Sequence, residues 1–215
     1  ADSAFSRNAE IYDTTIGWRF VNPKMKKEFG AHAMPETAEN VATDYQISRE
    51  DQDAFALRSQ QRWGAAQAAG RFDQEIVPVT LPQRRGDPLV FDRDEHPRPE
   101  TQADQLAKLK PLNDAGKSVT AGNASGVNDG AAALLLASDA AVKARGLDPR
   151  ARVVGMVAAG VAPRVRGIGP VPAVRRLLAR AGLPHPDPEV SALNGAVAAR
   201  GRAVLRAMGL PDGAP

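Results

Sequence analysis

The segment Ser118-Val-Thr-Ala-Gly-Asn-Ala-Ser-Gly-Val-Asn-Asp-Gly130 places three glycines among short polar side chains, directly before the apolar run 131–137. Glycine lets a backbone approach a ligand closely or adopt positive φ. The Asn, Ser and Asp side chains between the glycines bond to neighbouring backbone and hold such a loop in shape. A polar, glycine-spaced loop running into a buried strand is where α/β folds commonly hold a ligand, and the same residues also make an ordinary tight turn. The spacing fits neither GxxxxGK[ST] nor GxGxxG, which argues against a nucleotide phosphate loop.

The residues after the loop narrow the fold. Residues 131–137 have the length and continuous apolarity of a strand buried on both faces, although their alanines and leucines also suit a helix. Ser138 caps a helix that Gly146 ends. Residues 152–161, with Val153, Val154, Met156 and Val157, read as a second buried strand. Pro170 and Pro172 open a helix to Gly182, where a missing N–H costs nothing. A short strand over 189–193 and a helix over 196–208, closed by Gly209, complete the alternation. Strand, helix, strand, helix in this order predicts an α/β fold with a mostly parallel sheet.

Before the loop the signals are mainly helical. A short helix is expected over 37–44. Ser48-Arg-Glu-Asp51 is a cap-like start for a helix through Phe55 and Trp63, with Gly70 as its stop. Residues 75–82 and 89–91 read as strands joined through the turn Arg84-Arg-Gly-Asp-Pro88. The segment before about 118 therefore looks like a separate, mostly helical lobe.

Composition removes several functions. The chain has 215 residues and no cysteine, which excludes disulfides, thiolate metal sites and a cysteine nucleophile in this polypeptide. No metal site is expected. No apolar run approaches a bilayer span and no charged-then-apolar leader opens the chain, so the expectation is a cytoplasmic protein with no membrane partner. Basic residues crowd the span 143–206, where Asp148, Asp187 and Glu189 are the acids. That bias suits either a polyanion-binding surface or solvated arginine-rich helix faces. Without interleaved aromatics there is nothing to stack bases on, and no nucleic-acid partner is expected.

Six words in order carry a resemblance: Asp13-Thr-Thr-Ile-Gly-Trp-Arg-Phe-Val-Asn-Pro23, Met34-Pro-Glu-Thr-Ala-Glu-Asn-Val41, Gly70-Arg-Phe-Asp-Gln-Glu-Ile-Val-Pro78, Asp94-Glu-His-Pro-Arg-Pro99, Thr120 to Gly130, and Gly167-Ile-Gly-Pro-Val-Pro172. With these the chain resembles the thiolase family, and within it the branch acting on 3-oxoadipyl-CoA. The resemblance implies a partial thiolase fold. Residues 1–118 would be the loop domain, 119–147 the end of the N-terminal half, and 148–215 the start of an incomplete C-terminal half. It also implies an acyltransferase that cleaves a 3-oxoacyl-CoA with coenzyme A, here 3-oxoadipyl-CoA to succinyl-CoA and acetyl-CoA. Coenzyme A would be a cosubstrate rather than a permanently bound cofactor. Family members assemble as homo-oligomers, dimers or tetramers.

Carried over residue by residue, the resemblance places Ser125 and Gly126 on the pantetheine side of the coenzyme A site. Met34 becomes a pocket-lining residue, and Arg98 meets the adenosine end. Asn194 positions a water in an oxyanion hole; by its own position it also reads as a helix cap. The departures matter as much. Family thiolases attack with one cysteine and move protons with a second cysteine and a Gly-His-Pro histidine. None of these is in this chain, and His32, His96 and His185 read as structural or solvated. The family motif Asn-Glu-Ala-Phe is here Asn194-Gly-Ala-Val197, and Arg166 replaces a hydrophobic residue beside the presumed acyl pocket. Two expectations result: an internal thiolase fragment that is inactive alone, or a non-catalytic module that binds coenzyme A.

Overall fold

The structure is a computed structural model that describes residues 18, 20–113, 116–184 and 190–211. Its elements are α1 (Pro23–Phe29), α2 (Met34–Asp44), α3 (Arg49–Ala68), β1 (Val79–Leu81), β2 (Leu89–Phe91), α4 (Ala103–Ala107), α5 (Asp139–Arg145), a 3-10 segment (Pro163–Ile168), α6 (Pro170–Ala181) and α7 (Ala198–Ala207). It is an α/β arrangement in which the helices pack on one another and the small two-stranded sheet is exposed.

Local chemistry sets most helix ends. In α2, Glu36 reaches back to accept from the Ala33 N–H at 2.6 Å. Ser48 Oγ accepts from Asp51 N at 3.0 Å to start α3, and Ser138 Oγ accepts from Ala141 N at 3.2 Å to start α5. Gly146 and Gly182 end α5 and α6 in the left-handed conformation, at φ 60° and 67°. β1 and β2 pair antiparallel with Thr80 opposite Val90, as the alternating pattern predicts.

The core joins distant parts of the chain. Val41, Ala42 and Ile47 from the end of α2 and its following turn pack with Ile168, Val171, Ala199, Ala203, Val204 and Met208. Small residues on α7 let it come close to its neighbours; a Cβ on Gly201 would already lie 3.0 Å from the Phe55 ring of α3. The core thus spans the boundary expected near residue 118.

Three expected strands do not form. Residues 131–137 and 151–162 carry no regular structure, and neither do the described residues of the third, 190–193. Leu134, Leu135 and Leu136 are 87%, 88% and 78% exposed. Apolar sequence marks a segment for burial, but a strand exists only where another fills its N–H and C=O groups. Among the described residues none lies beside these segments. The surface agrees: a compact protein of this mass exposes about 9,500 Å² by size scaling, whereas this chain exposes 16,701 Å². Among the described residues no helix is long and apolar enough to cross a membrane.

Candidate functional site

The glycine-rich loop is built from its buried end outward. Glu39, on α2, accepts the backbone N–H groups of Lys117, Ser118 and Val119 on one carboxylate oxygen at 3.0, 2.9 and 2.7 Å. Its other oxygen accepts from the Ser118 hydroxyl at 2.8 Å. Asn123 then ties the loop to itself and to α3. Its Oδ1 accepts from Thr120 N at 2.8 Å, and its Nδ2 donates to Ser118 O and Asp53 Oδ1, each at 2.9 Å. Asp53 is held in turn by Arg49 Nε at 2.7 Å. Arg49 also donates to the Leu106 and Leu109 carbonyls, and those two leucines close over Gly122. A Cβ at Gly122 would come within 2.6 Å of both side chains, so this glycine is there for close approach.

The far end of the loop meets the entry to α7. Ser125 N donates to Ala196 O at 2.8 Å, Ala198 N donates to Asn123 O at 2.9 Å, and Ala124 bridges Val197. Ala196 has φ 51°, a left-handed backbone unusual for a residue with a Cβ. That strain sits where the chain turns against the loop.

These contacts border a cavity of about 480 Å³ lined by Met34, Val119, Ser125, Val127, Arg166 and Trp18 among others. Its walls are mostly apolar. The Ser125 hydroxyl has no hydrogen-bond partner among the described residues and is available to a ligand amide. The guanidinium of Arg166 stands over the Trp18 ring, 6.0 Å from its centre. A second cavity of about 430 Å³ shares Ala124, Ser125, Ala196 and Val197 with the first and reaches Phe55, Arg58 and His96.

Of the residues expected at the site, the fold brings Met34 and Ser125 to one cavity. Gly126 adjoins them with the His96 ring against it, a Cβ there meeting His96 at 3.1 Å and Asn128 at 2.6 Å. Arg98 is not brought to either cavity. It is exposed, its N–H donating to Gln60 at 2.7 Å and its guanidinium to the His96 carbonyl at 3.2 Å. Asn194 is exposed in irregular chain. It does not cap α7, whose capping position is Val197, because the chain turns at Ala196 first. His32 packs its ring against Gly30 and accepts from Trp18 Nε1 through its carbonyl at 3.1 Å. His185 lies outside the described residues.

Glu39 and Asp53, which shape the loop, were not legible as site residues. Glu39 reads as one more charge on a helix, since its partners lie 78 to 80 residues away. Two acids elsewhere have altered acidity. Arg164 lowers the Asp44 pKa by hydrogen bonding and by charge, against a smaller upward push from burial. Burial pushes Asp51 up, but hydrogen bonding to Arg206 and Ser48 and the charges of Arg202 and Arg206 leave it lowered overall.

With the geometry in place, likeness to known proteins gives the class. The family described as "Thiolase, N-terminal domain" matches residues 6–140. The chain belongs to the thiolase family. It is 63% identical over its full length to a beta-ketoadipyl-CoA thiolase of Pseudomonas putida, covering 54% of that protein. It is 60% identical to the 3-oxoadipyl-CoA/3-oxo-5,6-dehydrosuberyl-CoA thiolase of Escherichia coli K12, covering 100% of this chain and 54% of that one. Among solved structures, the Bacillus anthracis acetyl-CoA acetyltransferase is similar with TM-score 0.80 and 44% identity, over 87% of this chain and 47% of that one. Human mitochondrial 3-ketoacyl-CoA thiolase is similar with TM-score 0.79 and 43% identity, over 86% and 46%. The chain spans about half the length of the curated relatives it matches.

Proposed function

We propose that this chain forms the part of a thiolase-type acyltransferase that holds a coenzyme A thioester, with the pantetheine arm in the cavity between Met34 and Ser125. The observation that carries the reading is the meeting of those two side chains in one cavity, beside a loop pinned by Glu39 and Asp53. A pantetheine arm is an apolar chain interrupted by amides. Val119 and Val127 suit its methylenes, and the Ser125 hydroxyl supplies one orienting hydrogen bond. Gly126 keeps a side chain out of the path, Arg98 meets the adenosine end, and Asn194 positions the oxyanion-hole water.

In the whole protein the reaction is thiolysis of a 3-oxoacyl-CoA, with 3-oxoadipyl-CoA the substrate and coenzyme A the cosubstrate. That reaction transfers the acyl group through a thiolate. This chain has no cysteine, so its contribution is binding and positioning. The same reading assigns residues 1–118 to the loop domain, 119–147 to the end of the first half and 148–215 to the start of the second. The whole protein is a cytoplasmic homo-oligomer.

Calorimetric titration of coenzyme A into the 215-residue chain tests this. Saturable micromolar binding is expected, weakened at least about tenfold by Ser125→Trp, which fills the cavity. No acetyl-CoA is expected from 3-oxoadipyl-CoA plus coenzyme A. Absence of binding at millimolar ligand, or measurable turnover by the chain alone, overturns the reading.

A further inference from the structure

We propose that Arg166 receives an anionic group at the far end of the acyl chain, and so selects thioesters whose acyl group ends in a carboxylate. The inference rests on the reading that the Met34–Ser125 cavity takes a coenzyme A thioester. Arg166 sits in the 3-10 segment, after Val165, whose φ −125° and ψ 30° break the helical run. Among the described residues lining the cavity it is the one that is charged.

Four other arginines of the chain's second half are engaged. Arg164 forks onto Asp44 at 2.6 and 3.2 Å, and Arg206 pairs with Asp51 at 2.8 Å. Arg175 and Arg176 donate to the Ala207 and Ala158 carbonyls. Arg166 has no hydrogen bond or ion pair among the described residues, only the face of Trp18. A ring face engages the guanidinium plane and leaves its edge donors unused. Those donors form a planar fork that fits a carboxylate with two parallel bonds. An acyl chain ending in a methyl would take water from the same donors and return nothing. One exposed cation at the wall of an apolar cavity, facing a ring but not neutralised, therefore discriminates between acyl ends.

Adipyl-CoA and hexanoyl-CoA have the same carbon count and differ at the terminal carboxylate. Neither carries a 3-oxo group, so neither is a thiolysis substrate. Each thioester, and free coenzyme A, is titrated calorimetrically into the 215-residue chain and into Arg166→Met and Arg166→Lys. The unmodified chain is expected to bind adipyl-CoA about tenfold more tightly than hexanoyl-CoA, the size of one charge-assisted bond. Arg166→Met removes that preference while free coenzyme A binds as before, and Arg166→Lys keeps part of it. Equal binding of the two thioesters to the unmodified chain overturns the proposal. So does a preference that survives Arg166→Met, or a loss that falls on all three ligands alike, which marks a structural strap to Trp18. Coenzyme A binding without discrimination leaves the cavity assignment standing, whereas failure of all three to bind removes both.

Discussion

Replacing Asn123 tests the account of how the loop is held. Its side chain makes three hydrogen bonds, to Thr120 N at 2.8 Å and to Ser118 O and Asp53 Oδ1 at 2.9 Å. It is 3% exposed, Thr120 is fully buried and Ser118 is 8% exposed, so water does not readily take its place. Asn123→Ala strands one donor and two acceptors. Each buried group left unpaired costs about 1–3 kcal/mol, and partial relaxation around Ser118 and Asp53 brings the sum to about 2–4 kcal/mol. For a chain of this size that is a fall in Tm of about 5–12 °C. Asn123→Asp has nearly the same shape but only acceptors, and it sets a second carboxylate against Asp53. It is expected to be less stable than the alanine variant at neutral pH, and to recover as the pair gains a proton in acid. Thermal unfolding gives the magnitudes, and amide hydrogen exchange locates them. Exchange rises at Thr120, while Val119 stays protected by Glu39. A loss below about 0.5 kcal/mol in Asn123→Ala, or an aspartate variant as stable as the alanine one at neutral pH, refutes the reasoning.

Three further outcomes are expected. Asp51 has a lowered pKa in the folded chain, so its ion pairs with Arg202 and Arg206 add stability above its unfolded pKa of about 3.9 that disappears as pH falls through the lower folded value. The stability gap between the unmodified chain and Asp51→Asn, measured by urea midpoints, should be flat from about pH 5 to 8 and shrink below about pH 4; a flat profile throughout denies the coupling. Gly122→Val should cost at least about 2 kcal/mol by driving Leu106 and Leu109 from the loop, read as a lower urea midpoint. Leu134→Ser with Leu136→Ser removes two exposed side chains, so light scattering should show less self-association while Tm moves by no more than about 2 °C.

Local chemistry was legible in the sequence because its partners lie within one turn. Ser48 and Ser138 cap α3 and α5, Gly146 and Gly182 end α5 and α6, and the 79–81 and 89–91 strands pair, all where short-range pattern puts them. The candidate site was legible only in pieces. Ser125 and Met34 came from motif, and their meeting in one cavity depends on α2 crossing the loop. The alternative reading of Asn194 as a helix cap does not hold, because the positive φ of Ala196, which moves the cap to Val197, arises from the loop contact and has no local sign.

The buried runs show the same division. Residues 131–137 and 151–162 are apolar enough to be strands, and that tendency belongs to the sequence. Whether they become strands depends on a neighbour for their backbone groups, which no local pattern encodes. Sequence alone determined the starts of α3 and α5, the stops of α5 and α6, the hairpin, the thiolase words and, through the missing cysteine, that this chain has no thiolate of its own. Only tertiary structure decided that Glu39 and Asp53 hold the glycine loop, that Arg166 stands over Trp18 in a shared cavity, and that the apolar runs stay exposed. Each of these is a contact between residues far apart in the chain, and packing rather than local preference determines which of them form.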